Sequence, residues 1–473
     1  MMTGLVNRKQ AMHNKSKSII VAGLSGGSGK SVVAVGLTAY LHASGQQVVP
    51  FKKGPDYIDA GWLTQAAGRP CYNLDPYLMQ DEEIISSFQK HASHADFSII
   101  EGNRGVYDGV NIEGGFSTAE LAIQLGLPVL LVVNCSKTTR TIAALVLGCR
   151  QLDRRLDIGG VILNQIATPR HESVIRQSIE RYTDVPVLGI VPRRKDDIFP
   201  MRHLGVTPHQ ESDSVGNVVK NLAAIVKDNF DVDRIKELAR PITAQENVPA
   251  QSVKLRDADV AIGIVRDRAF QFYYEENLEA LRDNGAKLIM IDALIADSLP
   301  DNLDGLYIGG GFPETSAREL AKNTSFRESV QLQAEKGLPI YAECGGLIFL
   351  GKSIVLDDQE YPLAGVFPIT FGISKKPQAH GYSIFSADKN NPFYPEGTTV
   401  KGHEFRYSTI LDWDGRPEDL ALKMDRGTGF LEKRDGLVFK NVLALYTHVL
   451  ASGTGEWAAG IIQAARKYQL EKQ

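Results

Sequence analysis

The stretch Ser18-Ile-Ile-Val-Ala-Gly-Leu-Ser-Gly-Gly-Ser-Gly-Lys-Ser31 decides the fold of this chain. An apolar run of strand length passes directly into a glycine-rich turn. The turn closes on Lys30 and Ser31, and an apolar helical pattern follows through Val32, Val33, Val35, Leu37 and Leu41. Glycines let backbone N–H groups of Gly26, Gly27, Ser28 and Gly29 converge on phosphate oxygens. Lys30 then reaches the outer phosphates, and the Ser31 hydroxyl takes a Mg²⁺ position at a helix N-terminus. This composition predicts binding of a nucleoside triphosphate. The loop is one residue longer than the common GxxxxGK[ST] spacing, because the matching glycine is Gly23.

That longer loop resembles the dethiobiotin synthetase and MinD branch of P-loop proteins. Partitioning ATPases of the branch carry a second lysine at the front of the loop, where this chain has Ser25. The resemblance therefore points to the metabolic ligases. From Ser18 to about Ile225, short apolar runs alternate with helical lengths: Ile19 to Ala22, Val48 to Phe51, Phe97 to Ile100, Val129 to Val133, Gly160 to Leu163 and Val187 to Val191. The pattern predicts an α/β domain with a doubly wound, mostly parallel sheet, residues 18–225. Residues 226–257 turn polar, with Pro241 and Pro249, and read as a helix plus a linker. A second series of runs, at Val260 to Val265, Lys287 to Ile291, Leu306 to Ile308, Pro339 to Ala342 and Val442 to Tyr446, predicts a second α/β domain over 258–473.

Composition bounds the partners. The 473 residues carry 52 Lys+Arg against 56 Asp+Glu, a net charge of −4 without a strongly basic block, which argues against nucleic acid. Cys71, Cys135, Cys149 and Cys344 form no CxxC pair, so a disulfide scaffold or structural zinc site is not expected and a reducing cytoplasm fits. Residues 1–17 are polar and read as a disordered leader. No run approaches the roughly 18 apolar residues of a membrane span.

The second domain carries its own constellation. Pro339-Ile-Tyr-Ala-Glu-Cys-Gly-Gly-Leu347 sets a cysteine at a strand end before two glycines and a helical pattern, the geometry of a nucleophile elbow. A helix N-terminus there is expected to lower the Cys344 thiol pKa, and neighbouring N–H groups to hold an oxyanion. Leu306-Tyr-Ile-Gly-Gly-Gly-Phe-Pro-Glu314 offers a second oxyanion donor near Gly310, beside that of Gly345. His448 ends the strand Asn441 to His448, where a base belongs. Together these resemble a class I glutamine amidotransferase domain. Many such domains place a glutamate two residues after the histidine; here that residue is Leu450, so a third member comes from elsewhere, for example Glu404, or is absent.

A P-loop domain ahead of such an amidotransferase resembles the cobyrinic acid a,c-diamide synthase family over nearly the whole chain. The motifs are Pro50-Phe-Lys-Lys-Gly-Pro-Asp-Tyr-Ile-Asp59, Gly68-Arg-Pro-Cys-Tyr-Asn-Leu-Asp75, Ile100-Glu-Gly-Asn-Arg-Gly-Val-Tyr-Asp-Gly109 and Ala269-Phe-Gln-Phe-Tyr-Tyr-Glu-Glu-Asn277. The resemblance implies ATP- and Mg²⁺-dependent amidation of peripheral carboxylates on a corrin-type macrocycle, with glutamine as nitrogen donor. Glu101, at the end of a strand, is expected to hold the metal with Ser31 and Asp56; Asn164 is expected to read the adenine edge. Lys52, Asp56, Ile58, Asp59 and Tyr107 are expected at the anionic tetrapyrrole. A second copy of the chain is a candidate partner. Two other readings stand beside this one: the same chemistry on nickel sirohydrochlorin or sirohaem, and a regulatory P-loop ATPase with an inactive amidotransferase-like domain.

Overall fold

A computed structural model describes residues 16–194, 199, 201–202, 205–211, 214–242 and 259–472. The apolar runs of the first domain become β1 (Lys17–Gly23), β2 (Val48–Lys53), β3 (Tyr72–Leu74), β4 (Phe97–Glu101), β5 (Val129–Asn134), β6 (Ile158–Ile166) and β7 (Val187–Pro192). They hydrogen-bond in the order β3-β2-β4-β1-β5-β6-β7, and every one of these pairings is parallel. Ile19 to Ala22 are wholly buried, since hydrophobic clusters pack on both faces of the sheet. Burial on two faces is why these runs are continuous rather than alternating. β1 lies between β4 and β5 while the chain itself proceeds from β1 to β2, so a crevice opens at the carboxyl end of β1. The P-loop sits there, followed by α1 (Lys30–Ala43).

The expected boundary at 225 falls inside the helix Val215–Asn229, whose Val218, Leu222, Ile225 and Val226 join the core beneath α1. Gly36 of α1 makes that contact close: a Cβ there would lie 3.0 Å from the Leu222 carbonyl. The short helix Val232–Leu238 follows, and Arg240–Pro241 pairs antiparallel with β1. The first domain thus reaches Ile242, because these pieces cover apolar surface that the sheet alone leaves bare. Lys17, the last residue of the expected leader, already lies in β1. Residues 1–15, and 243–258 of the expected linker, lie outside the described residues.

In the second domain six strands are ordered Ala286–Ile291, Val260–Val265, Gly305–Ile308, Ile340–Glu343, Val442–Leu445 and Leu437–Phe439, with only the last pair antiparallel. A second, antiparallel layer went unread in the sequence. It contains Ala379–Ala387, Thr399–Arg406 and the two-residue strand His448–Val449.

The segment 269–277 joins the two domains. The ring of Phe272 stacks on Tyr57 with centroids 4.0 Å apart. Tyr274 donates to the Pro55 carbonyl, and Glu276 accepts from the Asn73 N–H. Tyr382 adds a second clasp, stacking on Tyr77 and donating to the Asp75 carboxylate. No helix among the described residues is long and apolar enough to cross a membrane.

Two glycines test this packing. Gly36→Val puts side-chain atoms into the neighbouring helix backbone and is expected to destabilise the first domain by about 2 kcal/mol or more. Gly148, exposed in the helix Thr141–Leu152 with open space around it, is the contrast. Gly148→Ala is expected to stabilise by about 0.5–1 kcal/mol. Equal thermal midpoints for the two variants would refute the account.

Candidate active site

The P-loop is held by its neighbours before any ligand arrives. Gly27 and Gly29 have φ of 72° and 97°, the left-handed region that lets successive N–H groups turn inward. Lys30 Nζ donates to the Ser25 carbonyl at 3.0 Å. Burial draws its ammonium below the ordinary value against the opposing pull of Glu101. Asn164 lies against the loop so closely that a Cβ on Gly29 would collide with its amide. Its Nδ2 donates to the Ser28 carbonyl at 2.9 Å, and its Oδ1 accepts from the Gln165 N–H. The Nδ2 of the amide expected to read adenine thus braces the loop, while its Oδ1 is engaged by its own strand.

Below the loop lies a buried cluster of charges. The Ser31 hydroxyl donates to Glu101 Oε1 at 2.8 Å, so the expected pair is together. Lys52, expected to face substrate, is instead sealed at 1 % exposure. Its Nζ lies 2.6 Å from Asp59, 3.1 Å from Glu101 and 3.9 Å from Asp56. Burial alone would push this ammonium down, but the three carboxylates override it and hold it well above its ordinary value. Burial, with Asp59 nearby, raises Glu101 to about 7 and Asp56 to about 6. Asp56 Oδ1 also accepts from the N–H groups of Ile58 and Asp59, which caps α2 (Ile58–Ala67). Glu101 Oε2 is buried without a hydrogen-bond partner. An orphaned carboxylate oxygen beside a serine hydroxyl fits Mg²⁺, which takes one or two protein oxygens and completes its shell with phosphates and water.

In the second domain Cys344 sits between the strand Ile340–Glu343 and the helix Gly345–Leu350 with φ 46° and ψ −95°. Such strain in a non-glycine residue is held only where surrounding structure enforces it. Here the Cys344 N–H donates to the Leu445 carbonyl, and Gly346 packs where a Cβ would strike Ile308. The thiol donates to the Phe405 carbonyl at 3.6 Å, and the Gly345 N–H points at the sulfur. The expected lowering of the thiol pKa is not found. Burial pushes it up to about 12, reinforced by Glu314 and only partly offset by Arg406. The six-residue helix is too short, and the site too dry, for its dipole to prevail.

His448 is 2 % exposed, packed under the Phe272 ring at 4.0 Å. Burial lowers its imidazole to about 3, so both thiol and imidazole rest neutral. Gly310, expected as an oxyanion donor, makes room for this ring: a Cβ there would sit 2.3 Å from His448 Cε1. The Gly311 N–H is the one next to the elbow, 2.9 Å from where a Cβ on Gly345 would lie. Glu404 is committed elsewhere, accepting from the N–H groups of Thr428 and Gly429. Glu343 Oε2 instead lies 3.5 Å from His448 Nδ1.

One cavity of about 520 Å³ joins the domains. Cys344, His448 and Gly311 line it from one side, and Asp56, Tyr57 and Ile58 from the other. Lys52, Asp59 and Tyr107 are not in its wall; Tyr107 donates to the Cys149 carbonyl and ties its loop to a neighbouring helix. The sequence reading missed Lys53, Arg104, Arg426, His380 and His403, all of which line the cavity. Lys53 is 5 % exposed and makes no hydrogen bond or ion pair among the described residues. Of the paired lysines in Phe51-Lys-Lys-Gly54, strand alternation allows only one to face the crevice, a signal that was available. Arg426, His380 and His403 stand on the antiparallel layer and left no local signature.

Residues 19–206 match the model of the CobQ/CobB/MinD/ParA nucleotide binding domain, and residues 261–455 that of the CobB/CobQ-like glutamine amidotransferase domain. A cobyrinate a,c-diamide synthase of Magnetococcus marinus is 41 % identical over 437 residues, covering 91 % of this chain and 93 % of the relative. One from Dehalococcoides mccartyi strain CBDB1 is 36 % identical over 458 residues, covering 95 % and 98 %. One from Archaeoglobus fulgidus is 37 % identical over 433 residues, covering 91 % and 93 %. Among solved structures, PurLQS from Thermotoga maritima aligns with 44 % of this chain and 99 % of its own at 15 % identity and a TM-score of 0.33. A P-loop with its Ser31–Glu101 pair, a strained cysteine elbow and two matched domains over most of the chain together place this protein in the cobyrinate a,c-diamide synthase family.

Proposed function

We propose that this protein amidates the a and c carboxylates of cobyrinate, spending ATP and taking nitrogen from glutamine. The observation that carries the reading is the single cavity holding Cys344 and His448 opposite Asp56, Tyr57 and Lys53. Ammonia loses its nucleophilic lone pair on protonation in water, so a donor site and an acceptor site sharing one cavity suit its transfer.

On the amidotransferase side, Cys344 sulfur attacks the side-chain carbonyl carbon of glutamine while His448 takes the thiol proton. The tetrahedral oxyanion is received by the N–H groups of Gly345 and Gly311. His448 returns its proton to the departing nitrogen, ammonia leaves, and water hydrolyses the thioester to glutamate. Because both groups rest neutral, the thiolate forms only as the attack proceeds.

On the ligase side, a substrate carboxylate oxygen attacks the terminal phosphorus of ATP and ADP departs. Ammonia then adds to the acyl phosphate carbon, releasing phosphate and leaving the amide. Lys30 and the N–H groups of Gly26, Gly27, Ser28 and Gly29 hold the phosphates. Ser31 and Glu101 would hold Mg²⁺, which supplies charge neutralisation on the phosphates. Lys52 orders Asp59 and Glu101 rather than touching substrate. Lys53, with Arg104 and Arg426, gives the cavity the positive charge that a carboxylate-bearing macrocycle needs. Unpaired thiols and dependence on ATP and glutamine suit the cytoplasm.

Purified enzyme with ATP, Mg²⁺ and glutamine is expected to convert cobyrinic acid to a product carrying two new amides, read by mass. Amidation of nickel sirohydrochlorin or sirohaem alone would move the substrate to another ring. Cys344→Ser is expected to abolish glutamine-dependent amidation yet keep activity with ammonium salts; equal loss of both would contradict the division of labour.

Lys53→Met is expected to raise KM for the macrocycle by roughly 10- to 100-fold, the worth of a charge-assisted hydrogen bond. KM for ATP and glutaminase activity should stay level. Iodoacetamide labelling of Cys344, followed by peptide mass, is expected to climb about tenfold per pH unit between pH 7 and 10. A plateau near neutrality would show a preformed thiolate.

A further inference from the structure

We propose that Glu343 fixes the orientation and tautomer of His448, acting as the third member of the amidotransferase site in place of the glutamate that Leu450 displaces. The proposal rests on the reading of Cys344 and His448 as the glutaminase pair. Glu343 immediately precedes the nucleophile and is buried at 1 % exposure. Its Oε2 lies 3.5 Å from His448 Nδ1 and accepts from the Tyr307 hydroxyl at 3.2 Å. Its Oε1 accepts from the Val449 N–H at 3.2 Å. The carboxyl is therefore aimed from two sides, once by a tyrosine and once by the backbone next to the histidine itself.

His448 Nδ1 is buried and has no hydrogen-bond partner as placed, a state that costs free energy unless a nearby acceptor closes on it. Glu343 is the acceptor within ion-pair reach. Glu404, whose charge also reaches His448 from farther off, is not in contact with it and has its two oxygens bound to the Thr428 and Gly429 N–H groups. With its proton held on Nδ1 towards Glu343, the imidazole presents Nε2 as the lone pair that takes the thiol proton. Burial raises Glu343 to about 8, and the charge His448 acquires with that proton draws the carboxyl into its ionised form.

The strand register makes this possible. Glu343 pairs with Leu445 on the strand leading to His448, and the Cys344 N–H bonds the Leu445 carbonyl. Nucleophile and orienting acid are consecutive residues on one strand end, so a shift of either carries the other.

The test uses the full chain and Glu343→Gln, which keeps size and removes charge. Glutaminase kcat is expected to fall roughly 10²- to 10⁴-fold, as when a triad acid becomes its amide. KM for glutamine should change less than about threefold, and ammonium-driven amidation should persist, a split that a merely structural role would not give. Nitrogen-15 spectra of histidine-labelled wild type should show His448 protonated at Nδ1, with the Nε2–H form appearing in Glu343→Gln. Glutaminase within about threefold of wild type, or an Nε2–H tautomer in wild type, overturns the proposal. Should Glu343→Gln lose ammonium-driven activity as well, the wild-type tautomer decides alone. Glutaminase surviving in Cys344→Ser would instead remove the reading beneath it.

Discussion

The architecture of the ligase half turns on one sealed ammonium. Lys52 is the point at which three separate parts of the chain are fixed to one another: the end of β2, the end of β4 through Glu101, and the first turn of α2 through Asp56 and Asp59. Replacing such a group by apolar residues is often neutral or stabilising, so its presence is poorly explained as a source of stability. Position explains it better. Glu101 is also the partner of Ser31, so the ammonium sets where a carboxylate stands relative to the P-loop. It further neutralises a pocket in which two acids, Asp56 and Glu101, are already pushed towards their protonated forms by burial and by Asp59. A phosphate arriving there meets a site close to charge balance rather than a wall of negative charge.

The amidotransferase half follows a different logic, that of backbone enforcement. Cys344 can keep a positive φ because its N–H is pinned to Leu445 and because Gly345 and Gly346 have no Cβ to strike Gly311 and Ile308. The same economy of space explains Gly310, whose missing side chain is the room that His448 occupies. Gly310 and Gly346 thus serve as clearances, whereas Gly345 and Gly311 bring N–H groups to the elbow.

What was legible in the sequence was what is local. The P-loop between Gly23 and Ser31 and the elbow at Cys344 are each encoded within ten residues, by strand run, glycines and helical pattern, and both were read. Residues whose surroundings depend on distant partners were not legible. Lys52 and Lys53 are adjacent and chemically equal; only the position of Glu101, 49 residues later, decides which is sealed and which opens to the cavity. Asn164 packs against Gly29 and donates to the Ser28 carbonyl, a contact across 136 residues that the sequence does not reveal. Arg406 gave no sequence signal at all. In the structure its guanidinium is buried over Tyr446 at 4.0 Å and donates to the carbonyls of Ser408 and Gly429, a packing role on the antiparallel layer.

The two halves are physically continuous through aromatic rings. Tyr57 follows Asp56 in the acceptor loop, stacks on Phe272, and Phe272 in turn covers His448. Rings at 4.0 Å leave no gap for water between them, so this column forms a dry partition wall along the shared cavity. Tyr57 and Phe272 both line the cavity, and Phe272 is part of the apolar shell around His448. The acceptor loop and the glutaminase base are therefore joined by one continuous run of packed rings. This matters because ammonia released before an acyl phosphate exists is lost to protonation. On the proposed reading, the apolar wall from Tyr57 to His448 shelters that ammonia between the site that releases it and the site that consumes it.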